Sequence, residues 1–227
     1  MTTVIHERDT FSSRLIRLLS RTTYRRISNP HELEQVYRLR YEANLREGTI
    51  EARGEARLYD RFDETANALN MGVYVDDQLI AALRLHVLSQ KQPDSPALDA
   101  YPDLIEPLLR TGATFIDTSR LAANLPLARN FPQIPYVTLR LGIMAAAQFD
   151  TDFITGACRA EHFPFYAREY MGVRACPPRP YPTLIKPLCL VLIDYRANSV
   201  SILERRPFYG STLEERASIF AKSLALA

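Results

Sequence analysis

Two strand-like segments, residues 79–88 and 114–122, are apolar enough to be buried, yet they carry Arg84, His86, Asp117 and Arg120 in their interiors. Taking a charge out of water is costly unless an opposite charge and hydrogen bonds replace the lost hydration. A chain with such strands must fold so that charges from elsewhere in the sequence reach one face of a sheet. Along residues 79–88, Leu79, Ala81, Leu83, Leu85 and Val87 share one face, whereas Arg84 and His86 share the other. Candidate partners are Asp60 and Asp63 in the run YDRFDE, and Arg40 is a further charge embedded in an otherwise apolar helix face. Asp117 and Arg120 are three residues apart, which puts them on opposite faces of a regular strand. A β-bulge between them would turn both into one cleft. Residue types alone leave two readings open, a structural ion-pair network and a catalytic site.

The rest of the chain frames these segments. Asn29, Pro30 and Glu32 form a capping signal for a helix over about residues 30–47, with Leu33, Val36, Leu39 and Ala43 on one side and Gly48 as its left-handed stop. Residues 71–75 and 79–88 read as a hairpin turning at Asp76-Asp77. Prolines punctuate residues 93–107, with a short helix expected near 105–110. Helices are expected at 137–149 and 161–170, the latter stopped by Gly172, and strands at 153–157 and 188–195. Ser211 with Glu214 caps a last helix to about residue 224. The fold class is therefore mixed α/β, of the α+β type, with a central, mostly antiparallel twisted sheet flanked by helices. We divide the chain into a basic amphipathic arm or helix over residues 1–28 and a single domain over 29–227.

Composition narrows the function classes. With 28 basic and 26 acidic residues the chain has a net charge of +2, too balanced for a general binder of nucleic acid. No apolar run reaches the length of a membrane span, although peripheral lipid contact stays open. Cys158, Cys176 and Cys189 have neither disulfide-framework nor metal-site spacing, so no metal is expected and a reducing, cytoplasmic setting fits. P-loop, GxGxxG, HExxH and GxSxG motifs do not occur.

The ordered runs YRLRY, YDRFDE, AALRLHVLS, AYPDLIEPLL and FIDTSRLAAN resemble the motif series of the acyl-homoserine-lactone (autoinducer) synthases, and more closely that of their relatives, the N-acyl amino acid synthases. Both families belong to the GNAT acyltransferase superfamily. The resemblance implies a GNAT fold and an N-acyltransferase that moves a fatty acyl group from a thioester to the α-amine of an amino acid. The donor would be an acyl carrier protein or acyl-CoA, used as a substrate with no tightly bound cofactor. It also implies that Arg40, Asp60, Asp63, Arg84 and Arg120 occupy the family's arginine and aspartate positions, and that Asp117 replaces its strand glutamate. Asn44 stands where the lactone synthases carry an aromatic residue, which weighs against lactone synthesis itself.

On those terms Asp117 is the candidate proton acceptor, opposed by a structural ion-pair reading. Arg84, Arg120 or Arg40 would grip the acceptor's carboxylate, or else hold the Asp60–Asp63 loop. Tyr166 is the candidate donor of a proton to the leaving thiolate, opposed by a packed helix aromatic. The glycine-rich CoA phosphate loop of the superfamily is replaced by LPLARNFPQIPYVTLRLG. Arg129, Arg140, Arg159, Arg168 and Arg174, with the N-terminal arginines, are candidates to face an acidic carrier protein. Alternatives are a lactone synthase, a small-molecule acetyltransferase, and a catalytically silent GNAT-like domain that binds acyl chains or carrier protein.

Overall fold

The computed structural model describes residues 10–220. Its elements run α1 (Phe11–Leu19), β1 (Thr22–Arg26), α2 (Pro30–Arg46), β2 (Ala68–Val75), β3 (Gln78–Leu88), α3 (Pro96–Ala100), α4 (Pro102–Arg110) and β4 (Phe115–Ala123). They continue through α5 (Leu125–Ala128), α6 (Ile134–Phe149), β5 (Phe153–Cys158), α7 (Phe163–Tyr170), β6 (Val173–Arg174), β7 (Cys189–Asp194), α8 (Tyr195–Arg205) and α9 (Leu213–Phe220). Seven strands form one sheet in the order β1-β2-β3-β4-β5-β7-β6. Every pairing is antiparallel except β4 with β5.

The hairpin between β2 and β3 forms where expected, with both Asp76 and Asp77 in the left-handed region that a two-residue turn of this twist demands. Helix α2 starts on the Asn29 side chain, which accepts from the His31 amide, and Gly48 takes φ +60 just beyond its end. Helix α6 is buried on nearly all sides, which is why it lacks a polar face. It covers one side of the sheet, where Ile143 and Met144 join Leu83, Leu85 and Ile116 in the largest apolar cluster. The opposite side takes α2, through Val36 and Leu39 against Ala82 and Ala122, and α4, through Ile105 and Leu109 beside Phe115.

Several expectations need correction. The basic stretch 8–27 is not one helix. Residues 8 and 9 lie outside the described residues, α1 ends at Leu19, and Thr22–Arg26 is an edge strand paired with β2. Tertiary pairing there overrides helical spacing. Met171 at φ 57, and not Gly172, ends α7. The last helix is capped by the Thr212 hydroxyl, which accepts from the Glu215 amide, and its expected extension past residue 220 lies outside the described residues. Helix α3 occupies part of the proline-punctuated segment, and α8 begins at Tyr195, where the expected strand over 188–195 ends. Arg140 does not face a partner. It is buried and donates to Glu215 at 2.6 Å and to the carbonyls of Phe208 and Gly210, fastening the C-terminal segment to α6.

Strand β4 stays paired with β5 only from Phe115↔Phe153 to Thr118↔Gly156. Where they part, a Cβ on Gly156 would stand 2.5 Å from the Thr118 hydroxyl and 3.0 Å from its carbonyl oxygen. Gly156→Ala is expected to destabilise the protein by about 1–3 kcal/mol, read as a fall of about 2–4 °C in Tm per kcal/mol at this chain size. Gly54→Ala, where a Cβ meets nothing within 4 Å, is the control. Equal melting of the two variants would show that the close approach is not needed.

Candidate functional site

On the face covered by α2, the embedded charges meet. Arg40 donates to Asp63 at 2.6 Å and to the Asn70 side-chain oxygen at 2.7 Å. Arg84 pairs with Asp60 at 2.6 Å and with Asp63 at 2.9 Å, and its Nε donates to Ser119 at 3.1 Å. Arg120 closes the chain on the other oxygen of Asp60 and also donates to the Thr183 hydroxyl at 2.8 Å. Asp60 and Asp63 are delivered by a single 3-10 turn, residues Arg61–Asp63, in which each side chain accepts from the other's end of the turn. The network holds three guanidiniums against two carboxylates.

Burial dominates the electrostatics. It pulls Arg40 down to about 10, with Asp63 opposing and Arg84 adding to the fall. Burial also works against ionised Asp60, but hydrogen bonds and charge from Arg84 and Arg120 outweigh it and hold that carboxyl far below the usual range. His86 is lowered to about 4 by burial, with Arg84 assisting, so it is a neutral ring with Nε2 at 2.9 Å from the Phe62 carbonyl.

Beside this network lies a cleft of about 360 Å³, opened where β4 and β5 diverge. The expected bulge is present in β4. Arg84 faces Ser119 and Ala82 faces Ala122, so Leu83 opposes both Arg120 and Leu121, and Arg120 takes φ 55 to fit. That turn brings the Arg120 side chain round to the face of Arg84 and Ser119 and bends β4 away from β5. Arg120, Ser119, Asn44, Tyr166 and Tyr181 line the cleft. A narrow apolar pocket lined by Gly142, Ile143, Tyr170, Val191 and Ile193 adjoins it, with Thr118 and Tyr166 common to both walls.

Of the sequence-derived candidates, Arg120 and Tyr166 reach the cleft. Arg40, Asp60, Asp63 and Arg84 stand behind it as the network. Asp117 is brought near Arg84 but does not line the cleft. It is 1% exposed, and its carboxylate accepts from the Ala97 amide at 3.0 Å, at the start of α3. Burial raises Asp117 to about 6, against the hydrogen bonds from Ala97 and Ser95 and the charge of Arg84. Burial also pushes Tyr166 well above the usual phenol range, so it is a neutral O–H donor.

The cleft also gathers Glu47, which no sequence feature marks, with His162 and with Arg159, a residue expected on the surface for a carrier protein. Glu47, Arg159 and His162 meet at its mouth, Arg159 donating to Glu47 at 2.8 Å and lying 3.0 Å from the His162 ring nitrogen. Tyr181 comes from a segment read as featureless, where only its flanking prolines, Pro180 and Pro182, hint at a rigid display. Among the described residues there is no cluster of side chains able to hold a metal ion, and no helix is long and apolar enough to cross a membrane.

Comparison with known proteins places this arrangement. The family model of the N-acyl amino acid synthase FeeM matches residues 35–194. No curated protein matches the sequence. Among solved structures, FeeM from uncultured soil microbes, an N-acyl amino acid synthase, superposes with a TM-score of 0.66 at 14% identity, covering 81% of this chain and 98% of that one. The acyl-homoserine lactone synthase LasI gives 0.57 at 16% identity over 75% of this chain and 88% of its own. The CoA-dependent lactone synthase BjaI gives 0.58 at 17% identity over 90% and 99%. At such identities these likenesses are of fold, the mixed sheet of the GNAT acyltransferases. With a family match spanning most of its length, the chain belongs to the FeeM family of N-acyl amino acid synthases and is an acyltransferase.

Proposed function

We propose that the protein transfers a fatty acyl group from the thioester of an acyl carrier protein or of CoA to the α-amine of an amino acid. The observation that carries this reading is the β4–β5 splay, which exposes a polar cleft directly above an apolar pocket. A thioester carbonyl seated in the splay has its acyl tail aimed between α6 and β5–β7, at the apolar side chains of Ile143, Val191 and Ile193, which must part to admit it. BjaI is a CoA-dependent synthase, so a CoA thioester is used on this fold, and FeeM is an N-acyl amino acid synthase.

Each residue then has a task. Tyr166 stands in both walls, at the junction of tail and head, and its neutral hydroxyl protonates the departing thiolate. Arg120 presents positive charge to the acceptor. Arg40, Asp60, Asp63 and Arg84 fix the direction of Arg120 and act through it. Asp117 holds the start of α3 and is a positioning residue. The groups at the mouth able to take the proton of the ammonium are Glu47 and His162, with water as the carrier. The basic surface for a carrier protein loses Arg140 to its clamp, and Arg159 faces the mouth.

Mass spectrometry of lipid extracts from cells overexpressing the protein is expected to show a new N-acyl amino acid. A lactone, or no new lipid, would refute the reading. Tyr166→Phe should lower kcat by about ten- to a hundredfold with little change in melting, since water replaces the lost acid only in part.

Asp117 gives a separate test. Its folded carboxyl titrates about two units above an unfolded one, so its contribution to stability is full at low pH and is lost as pH rises through about 6. Asp117→Asn should therefore raise the Tm at pH 8 and leave it nearly unchanged at pH 4, with turnover kept within about tenfold of wild type. Abolished turnover in a folded variant would make Asp117 the base.

A further inference from the structure

We propose that Tyr181, together with Arg120 and Ser119, binds the carboxylate of the acceptor amino acid. This rests on the acceptor being an amino acid, as read above, and assigns the group that recognises it. Tyr181 lines the cleft, and its ring is fixed against Tyr101 at a centroid distance of 6.2 Å. Among the described residues its hydroxyl has no hydrogen-bond partner. A rigid ring with an unengaged hydroxyl in a cleft wall is built to meet something that arrives. Burial, reinforced by the charge of Asp117, pushes this phenol far above its usual range, so it stays an O–H donor and never competes as an anion.

Its neighbours complete a set of donors. Arg120 uses one terminal nitrogen for both Asp60 and the Thr183 hydroxyl, which leaves its remaining N–H groups for the cleft. Ser119 accepts from Arg84 through its oxygen, leaving its own proton free to donate. The hydrogen-bonded network behind them has one more guanidinium than carboxylate, so one further carboxylate completes it. Among the described residues no side-chain carboxylate takes that place. Asp117 is turned to α3, and Glu47 is held at the mouth by Arg159.

Backbone strain marks the same spot. Arg120 at φ 55 and Thr183 at φ 69 both lie in the left-handed region, which is unfavourable for a β-branched threonine above all. One hydrogen bond, from the Arg120 guanidinium to the Thr183 hydroxyl, joins the two strained residues. It pins the Tyr181–Thr183 stretch to the end of β4 and sets the phenol beside the arginine.

The test compares an amino acid with its carboxamide as acceptor, for wild type and Tyr181→Phe. Losing a hydrogen bond to a charged group should raise the KM for the acid by about tenfold or more, leave kcat within about twofold, and leave the amide unaffected. The preference for acid over amide, as a ratio of kcat/KM values, therefore falls by the same factor. Thr183→Val, which frees Arg120 from its anchor and keeps the phenol, should shift the ratio in the same direction. An unchanged ratio in both variants, with wild type still acylating the acid, overturns the carboxylate site alone. A wild type that acylates neither acceptor overturns this inference and the acyl-transfer reading together.

Discussion

Everything on the α2 side of the sheet depends on one chain of ion pairs, Arg40 to Asp63 to Arg84 to Asp60 to Arg120. None of these groups would be tolerated singly at the exposure they have, because the hydration lost on burial exceeds what one distorted contact returns. Together they satisfy one another, and the five are supplied by four parts of the chain: a helix, a 3-10 turn that brings both aspartates, and two strands. The pairs therefore tie α2 and the 3-10 turn to β3 and β4, which are already joined to each other by backbone hydrogen bonds. A buried network of this kind adds less net stability than apolar packing of equal volume would, but removal of any one member leaves another uncompensated. What it gains is a single permitted register for the loop over residues 60–63 and for the bulged end of β4.

The other side of the site follows from strand geometry. Parallel β4 and β5 stay hydrogen-bonded for four residue pairs, from Phe115↔Phe153 to Thr118↔Gly156, and then separate. The separation begins where Thr118 leans on Gly156, and it is amplified by the bulge at Arg120. A splay leaves backbone groups of both strands without cross-strand partners, and such groups need another hydrogen-bonding partner. Polar backbone lies on one side of the splay and the apolar walls of α6 and β7 on the other.

Much of the electrostatics could be read from the sequence because charge inside an apolar strand has few solutions. Arg84 among leucines announces a carboxylate partner, and YDRFDE offers a pair of aspartates outside the strands. A bulge in β4 follows from the need to place Asp117 and Arg120 on one face, although the extra residue falls at Arg120 and Leu121 and not between the two. Asp117 shows where such reasoning stops. Its partner is the amide of Ala97 at the start of α3, a five-residue helix hidden among prolines and aspartates that read as loop. Without α3 in view, a buried carboxylate looks reactive. Strand β1 is invisible for a similar reason, since TTYRR has no apolar alternation and is a strand only because β2 pairs with it. Tyr181 enters the cleft from more than sixty residues beyond Arg84, and no spacing rule connects them.

The left-handed backbone at Arg120 also governs the order in which the site can be assembled. An arginine has no intrinsic reason to adopt that conformation, so the bulge persists only once Asp60 and Thr183 hold the guanidinium on the far side of the turn. Asp60 is positioned by its own 3-10 turn, and Thr183 by a segment that precedes the last sheet strand, β7. The mouth between β4 and β5 is thus completed late in folding, after chain regions on either side of it have docked. A nascent or partly unfolded chain, however much sheet it contains, has no finished cleft.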